Sequence, residues 1–174
     1  MNWQDVCGDP ALRDLPYKIE LDEWGRIVMR PLTNLRGIIM GKACDRFHDG
    51  RSKGLPMLSC PIATAKGVRV ADVAWASRGF LKLHAGEDVF SQAPELCVEI
   101  MSPPGHAGEW SEKRNLYFGC GAQEVWLCDE RGNIDFHDSE GSMEKSRLFP
   151  NVTGIVLDDL PFLKPNGRGT KHDH

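Results

Sequence analysis

The sequence has no Cys-x-x-Cys pair, although it carries six cysteines: Cys7, Cys44, Cys60, Cys97, Cys120 and Cys128. That absence argues against zinc ribbons and thioredoxin-like redox sites. The thiols read instead as small buried hydrophobes in a reducing compartment, with Cys97 and Cys128 inside apolar, strand-like runs. The histidines are scattered, and His-x-His occurs only at His172 and His174, so no zinc-ligand spacing appears. Gly-x-Ser-x-Gly, a Gly-rich phosphate loop ending in Lys-Ser/Thr and a dinucleotide fingerprint are all missing. Aromatics are only 8% and are not interleaved with basic runs, which disfavours a stacking platform for single strands. There is no basic excess either. The net charge is -4 and the pI about 5.9, which argues against a broadly basic nucleic-acid binder. A nuclease with its basic residues confined to one cleft stays compatible with that balance. No apolar run approaches membrane-spanning length, and the start, Met-Asn-Trp-Gln-Asp-Val, lacks a basic stretch followed by an apolar one. The expectation is a cytoplasmic protein without a membrane anchor.

What is present suits one globular domain. The chain has 174 residues, 41% of them hydrophobic, enough for a real core. The expected domain covers residues 1–163, and 164–174 reads as a flexible C-terminal tail. Residues 17–21 and 26–30 flank Asp22-Glu23-Trp24-Gly25 and predict a β-hairpin, with Pro31 stopping its second strand. Leu35, Ile38, Ile39, Ala43 and Phe47 recur at helical spacing, which predicts a helix over 35–48 capped by Asn34. Strands are expected at 57–63, 68–75, 95–101, 123–128 and 133–137, with 145–149 pairing beyond. Helices are expected at 78–84 and 109–118, the latter stopped at Gly119-Cys120-Gly121. This order predicts an α/β (α+β) domain, a mixed sheet flanked by helices.

Two carboxylates stand inside apolar strand patterns: Asp72 in Val-Arg-Val-Ala-Asp-Val-Ala-Trp and Glu99 in Glu-Leu-Cys-Val-Glu-Ile-Met. Burying a carboxylate is costly unless it is paired or binds a metal. Alternation places Val68, Val70, Asp72 and Ala74 on one face, opposite Ala71, Val73 and Trp75. Glu99 shares a face with Glu95, Cys97 and Met101. If the two strands are neighbours, the two acids could share a hard cation; the alternative is two acids near strand ends that reach solvent or pair with Arg or Lys. Lys113 and Tyr117, spaced i, i+4, lie on one face of the following helix. With Trp110, Leu116 and Tyr117 as the apolar stripe, Lys113 sits at its border, either reaching the strand end or snorkelling at the surface. Glu20 alternates with Lys18 against Tyr17, Ile19 and Leu21, and a surface position is its default reading.

Several spaced segments together resemble the Uma-type restriction endonuclease family of the PD-(D/E)XK nuclease superfamily. Pro94 to Pro103 resembles its "P-x-L-x-V-E-V-x-S-P" segment, and Val70 to Trp75 its "x-P-D-V-A" strand, with Ala71 where Pro is common. Lys113, Tyr117, Gly121, Glu124, Trp126 and Asp129 match "K-x-x-x-Y-x-x-x-G-x-x-E-x-W-x-x-D", and residues 17–31 resemble its opening hairpin. The likeness runs over about residues 15–138. It implies a restriction-endonuclease-like fold with a core sheet of four to five strands. It further implies that Asp72 and Glu99 bind Mg²⁺ (or Mn²⁺), with the Ile100 carbonyl as third ligand and Glu20 as an auxiliary acid. The superfamily's usual lysine slot, two residues after the second acid, is Met101 here, and Lys113 matches the lysine that this family places on the next helix. Arg36 stands where a histidine before the glycine is frequent.

The expected activity is metal-dependent hydrolysis of DNA phosphodiesters, with Asp72, Glu99, Lys113 and Glu20 as site residues and a homodimer or higher homo-oligomer compatible with it. Two alternatives are a catalytically silent nuclease-fold protein, acting as a nucleic-acid-associated or regulatory module, and a metal hydrolase of small phosphoesters.

Overall fold

The opening hairpin stands apart from the main sheet. In the computed structural model, which describes residues 1–47, 53–101 and 107–157, strands β1 (Tyr17–Leu21) and β2 (Ile27–Pro31) pair antiparallel as a two-stranded sheet. Gly25, with φ 72°, supplies the turn between them. A short helix the sequence reading missed, α1 (Trp3–Gly8), precedes the hairpin. It is fixed by a capping box in which Asn2 and Asp5 bond each other's backbone N–H.

Helix α2 (Asn34–Arg46) follows, with Thr33 as its cap. The Thr33 hydroxyl accepts from the Arg36 N–H, so the expected cap moves back one residue from Asn34. Two long strands, β3 (Gly54–Thr64) and β4 (Gly67–Ser77), form the next hairpin, and the short α3 (Arg78–His84) falls where expected. Then come β5 (Leu96–Ile100), α4 (Ala107–Gly119), β6 (Glu124–Cys128), β7 (Ile134–Asp138) and β8 (Gly141–Met143). The six strands β3 to β8 lie side by side in chain order. All neighbours are antiparallel except β5 and β6, whose parallel pairing needs the α4 crossover. The mixed sheet flanked by helices is as expected, with six strands rather than four or five.

One expected strand is absent among the described residues. The pairing forecast for 145–149 is made instead by β8, because Glu124 captures the later segment. Its carboxylate accepts from the Ser146 hydroxyl and from the Arg147 and Leu148 N–H groups, which makes a tight loop. The expected tail at 164–174 lies outside the described residues.

Both faces of the central strands are covered, so β5 and β6 are buried along their whole length. On one face Ile39, Ala43 and Phe47 pack on Val73, Trp75, Leu96, Val98 and Trp126. On the other, Trp110 and Tyr117 pack on Ala74, Cys97, Val125 and Leu127. Ala71 joins Ala74 in that second cluster, so the strict alternation expected for β4 slips once beside Asp72. Across from that point Ser59 of β3 takes a φ of 52°, between the pairs Leu58–Val73 and Cys60–Ala71.

Candidate active site

Strand β1 is built inside out. Tyr17 is exposed and Ile19 half-buried, whereas Lys18 and Glu20 are buried. The surface position expected for Glu20 is therefore corrected. The polar face of β1 turns inward because the strand packs over the start of β4. There the Val70 N–H donates to Glu20 Oε1 at 2.8 Å, and Arg69 Nη1 donates to the Leu21 carbonyl at 2.6 Å. Gly67 permits the approach: with φ 89°, it would place a Cβ 2.4 Å from the Leu21 and Asp22 carbonyl oxygens.

Strands β4 and β5 supply the two acids as expected. Val73 opposes Val98 in the antiparallel register, and one step further brings Asp72 across from Glu99. Both side chains are buried, Asp72 at 1% and Glu99 at 0% exposure, so neither is an acid reaching solvent. They pair with cations. Lys18 Nζ donates to Asp72 Oδ1 and to Glu99 Oε2, at 2.9 Å each. Arg36 grips Asp72 with two nitrogens, Nε to Oδ1 at 3.2 Å and Nη2 to Oδ2 at 2.5 Å. The Ile100 N–H completes Asp72 by donating to Oδ2 at 2.7 Å.

Helix α4 supplies the rest. Its buried stripe is Trp110, Lys113 and Tyr117, and Leu116 is only half-buried, so Lys113 lies within the stripe rather than at its border or at the surface. Lys113 Nζ donates to Glu20 Oε1 at 2.7 Å and to Glu99 Oε1 at 3.3 Å. The Tyr117 hydroxyl donates to Glu99 Oε1 at 2.6 Å. Glu20, Asp72, Glu99 and Lys113, four positions far apart in sequence, thus meet in one cluster.

Lys18 and Arg36 are the members that sequence reasoning missed. Arg36 had a readable signal: it shares the i, i+3, i+7 stripe of α2 with the buried Ile39 and Ala43. Lys18 had only its i, i+2 spacing from Glu20, which fixes a common face but not which way that face points.

Burial alone would raise the Glu99 pKa, but Lys113 and Lys18, helped by the Tyr117 hydroxyl, outweigh it and hold the carboxyl well below the usual range. For Lys18, burial pulls the pKa down, and Glu99, Asp72 and Glu20 together push it above the ordinary value. Lys113 goes the other way. Burial lowers its pKa, Glu99 offsets part of that, and the neighbouring Lys18 adds to the fall. Burial and the adjacent Glu99 carboxylate push the Tyr117 hydroxyl well above its usual range.

The donor chemistry of Asp72 and Glu99, two carboxylates facing across adjacent strands, fits a hard divalent cation. The place between Asp72 Oδ1 and Glu99 Oε2 belongs to the Lys18 ammonium, however, so a cation fits there only with Lys18 withdrawn. Accordingly, among the described residues no three His, Cys, Asp or Glu side chains form an open metal cage.

The fold is similar to that of a solved structure, "a putative nuclease belonging to DUF820 from Anabaena variabilis ATCC 29413", at a TM-score of 0.63 and 14% identity. The match covers 78% of this chain and 85% of that one. At that identity the likeness shows the fold alone. No curated protein matches the chain. The family model Uma2, described as "Putative restriction endonuclease", matches residues 10–161, nearly the whole of the described fold. The chain belongs to the Uma2 family.

Proposed function

We propose that this protein is a Mg²⁺-dependent endonuclease that hydrolyses DNA phosphodiester bonds. The observation that carries the reading is the convergence of Asp72, Glu99 and Lys113, from β4, β5 and α4, in a chain of the Uma2 family. Asp72, Glu99 and the Ile100 carbonyl would hold the cation, with Mn²⁺ able to take its place. When bound, such a cation lowers the pKa of a coordinated water and offsets charge on a phosphoryl oxygen. Lys113 Nζ, its pKa lowered by burial, is the proton-handling group beside the second acid. Glu20 orients that ammonium through Oε1 and is the auxiliary acid. Tyr117 holds Glu99 in its rotamer by donating to Oε1. Met101, in the slot two residues after Glu99, has no proton to exchange, which leaves that work to Lys113. A homodimer would set one such site against each DNA strand. The six free cysteines suit a cytoplasmic setting. Among the described residues no helix is long and apolar enough to cross a membrane.

One observation favours the catalytically silent alternative: all four carboxylate oxygens of Asp72 and Glu99 already accept from nitrogen or hydroxyl donors of the chain. A plasmid assay decides. Purified protein with Mg²⁺ or Mn²⁺ should nick or linearise supercoiled plasmid, and EDTA, Asp72→Ala or Glu99→Ala should each abolish cutting. Intact DNA and RNA under all conditions, with no turnover of a chromogenic phosphodiester, would establish the silent reading. Turnover of a chromogenic phosphodiester without plasmid cutting would point to a small-molecule hydrolase.

A further inference from the structure

We infer that Lys18 is a built-in competitor for the divalent cation, holding the position between Asp72 and Glu99 until a metal displaces it. The inference rests on the metal-binding reading above and adds a residue that it does not use. Three observations carry it. The Lys18 ammonium stands 2.9 Å from one oxygen of each acid, the bridging position that a shared cation takes. Lys18 also sits on a strand that pairs only with β2 among the described residues. Its four-carbon stem can therefore swing, or the hairpin shift, without breaking a ladder of the six-stranded sheet.

The third observation is formal charge. Among the described residues, Glu20, Asp72 and Glu99 face Lys18, Arg36 and Lys113, three acids against three bases, so these six side chains balance with every acid ionised and every base protonated. A divalent cation added with Lys18 in place would leave two uncompensated positive charges out of water, a costly state. With Lys18 withdrawn it leaves one, which a single phosphodiester anion neutralises. Metal and phosphodiester should therefore bind better together than either alone, and the resting protein should bind metal weakly.

Calorimetric titration with Mn²⁺ tests this on the full chain, comparing wild type, Lys18→Met and Lys18→Arg, with Asp72→Asn added to each as a marker for the site. Lys18→Met should bind Mn²⁺ at least about tenfold more tightly than wild type, because one competing positive charge within contact distance is gone. Lys18→Arg should bind no more tightly, and Asp72→Asn should remove binding throughout. If wild type and Lys18→Met bind equally, and both lose binding with Asp72→Asn, the metal site stands and the competitor role is overturned. If Lys18→Met binds no Mn²⁺, or binds it regardless of Asp72→Asn, the metal reading itself fails. Thermal melts report folding of each variant. Should Lys18→Met not fold, Lys18→Gln, which keeps a donor for the carboxylates, carries the same comparison and the same expected order.

Discussion

Replacing Glu99 with Gln changes one charge and almost no volume, in a side chain that is 0% exposed. Lys18 at 2.9 Å, Lys113 at 3.3 Å and the Tyr117 hydroxyl at 2.6 Å all donate to the carboxylate. An amide keeps one acceptor oxygen and turns the other into a donor, so either Lys18, at Oε2, or both Lys113 and Tyr117, at Oε1, meet an N–H group. The cluster also gains an uncompensated positive charge. Removing one partner of a buried ion pair costs about 3–5 kcal/mol. In a chain of this length each kcal/mol moves Tm by roughly 2–4 °C, so Glu99→Gln should melt about 6–20 °C below wild type at neutral pH. The difference should shrink in acid. The folded-state pKa of Glu99 is depressed, so its contribution is present above the unfolded value of about 4.3 and fades as pH falls below it. Thermal melts of both proteins at pH 7 and pH 3.5, followed by tryptophan fluorescence, measure both effects. A variant as stable as wild type at pH 7, or a gap that widens in acid, would refute the reasoning that Glu99 is a paired, ionised, buried group.

Glu124→Ala should release the loop after β8. It removes the acceptor for Trp126 Nε1, the Ser146 hydroxyl and the Arg147 and Leu148 N–H groups, at a cost of about 3 kcal/mol or more. Faster hydrogen exchange at Arg147 and Leu148 is the expected sign, and unchanged protection would contradict it. Gly67→Ala should cost at least about 2 kcal/mol, from its φ of 89° and the contact a Cβ would make with the Leu21 and Asp22 carbonyls at the end of β1. Because that contact docks β1, the same variant should expose Lys18 to amine-labelling reagents; unchanged labelling would argue that β1 docks without it.

The parts of the fold legible in the sequence were those set by local chemistry. The hairpin at Gly25, the α3 span and the strands carrying Asp72 and Glu99 follow from turn residues and apolar runs. The pairing of the two acids was legible as a condition, and the antiparallel register of β4 and β5 fulfils it. What eluded sequence reading was direction. Tyr17, Ile19 and Leu21 look like the inward face of β1, yet only Leu21 of the three is buried, and the ion cluster needs Lys18 and Glu20 inside. Arg36 and Lys113 likewise sit within buried helical stripes, because Asp72 and Glu99 at the other end of the contact make burial of a cation tolerable. The slip beside Asp72 depends on Ser59 across the sheet, a residue whose own neighbours give no turn signal. The helix α1, by contrast, was readable: Asn2 just ahead of it and Asp5 in its first turn stand at capping-box spacing.

A crystal grown with Mn²⁺ and phased on its anomalous signal tests the Asp72–Glu99 site most directly. The expected result is a peak between the two carboxylates, with the Lys18 ammonium moved away. Lys18 still bridging Asp72 and Glu99, with no peak between them at saturating Mn²⁺, would contradict the proposed metal-dependent nuclease.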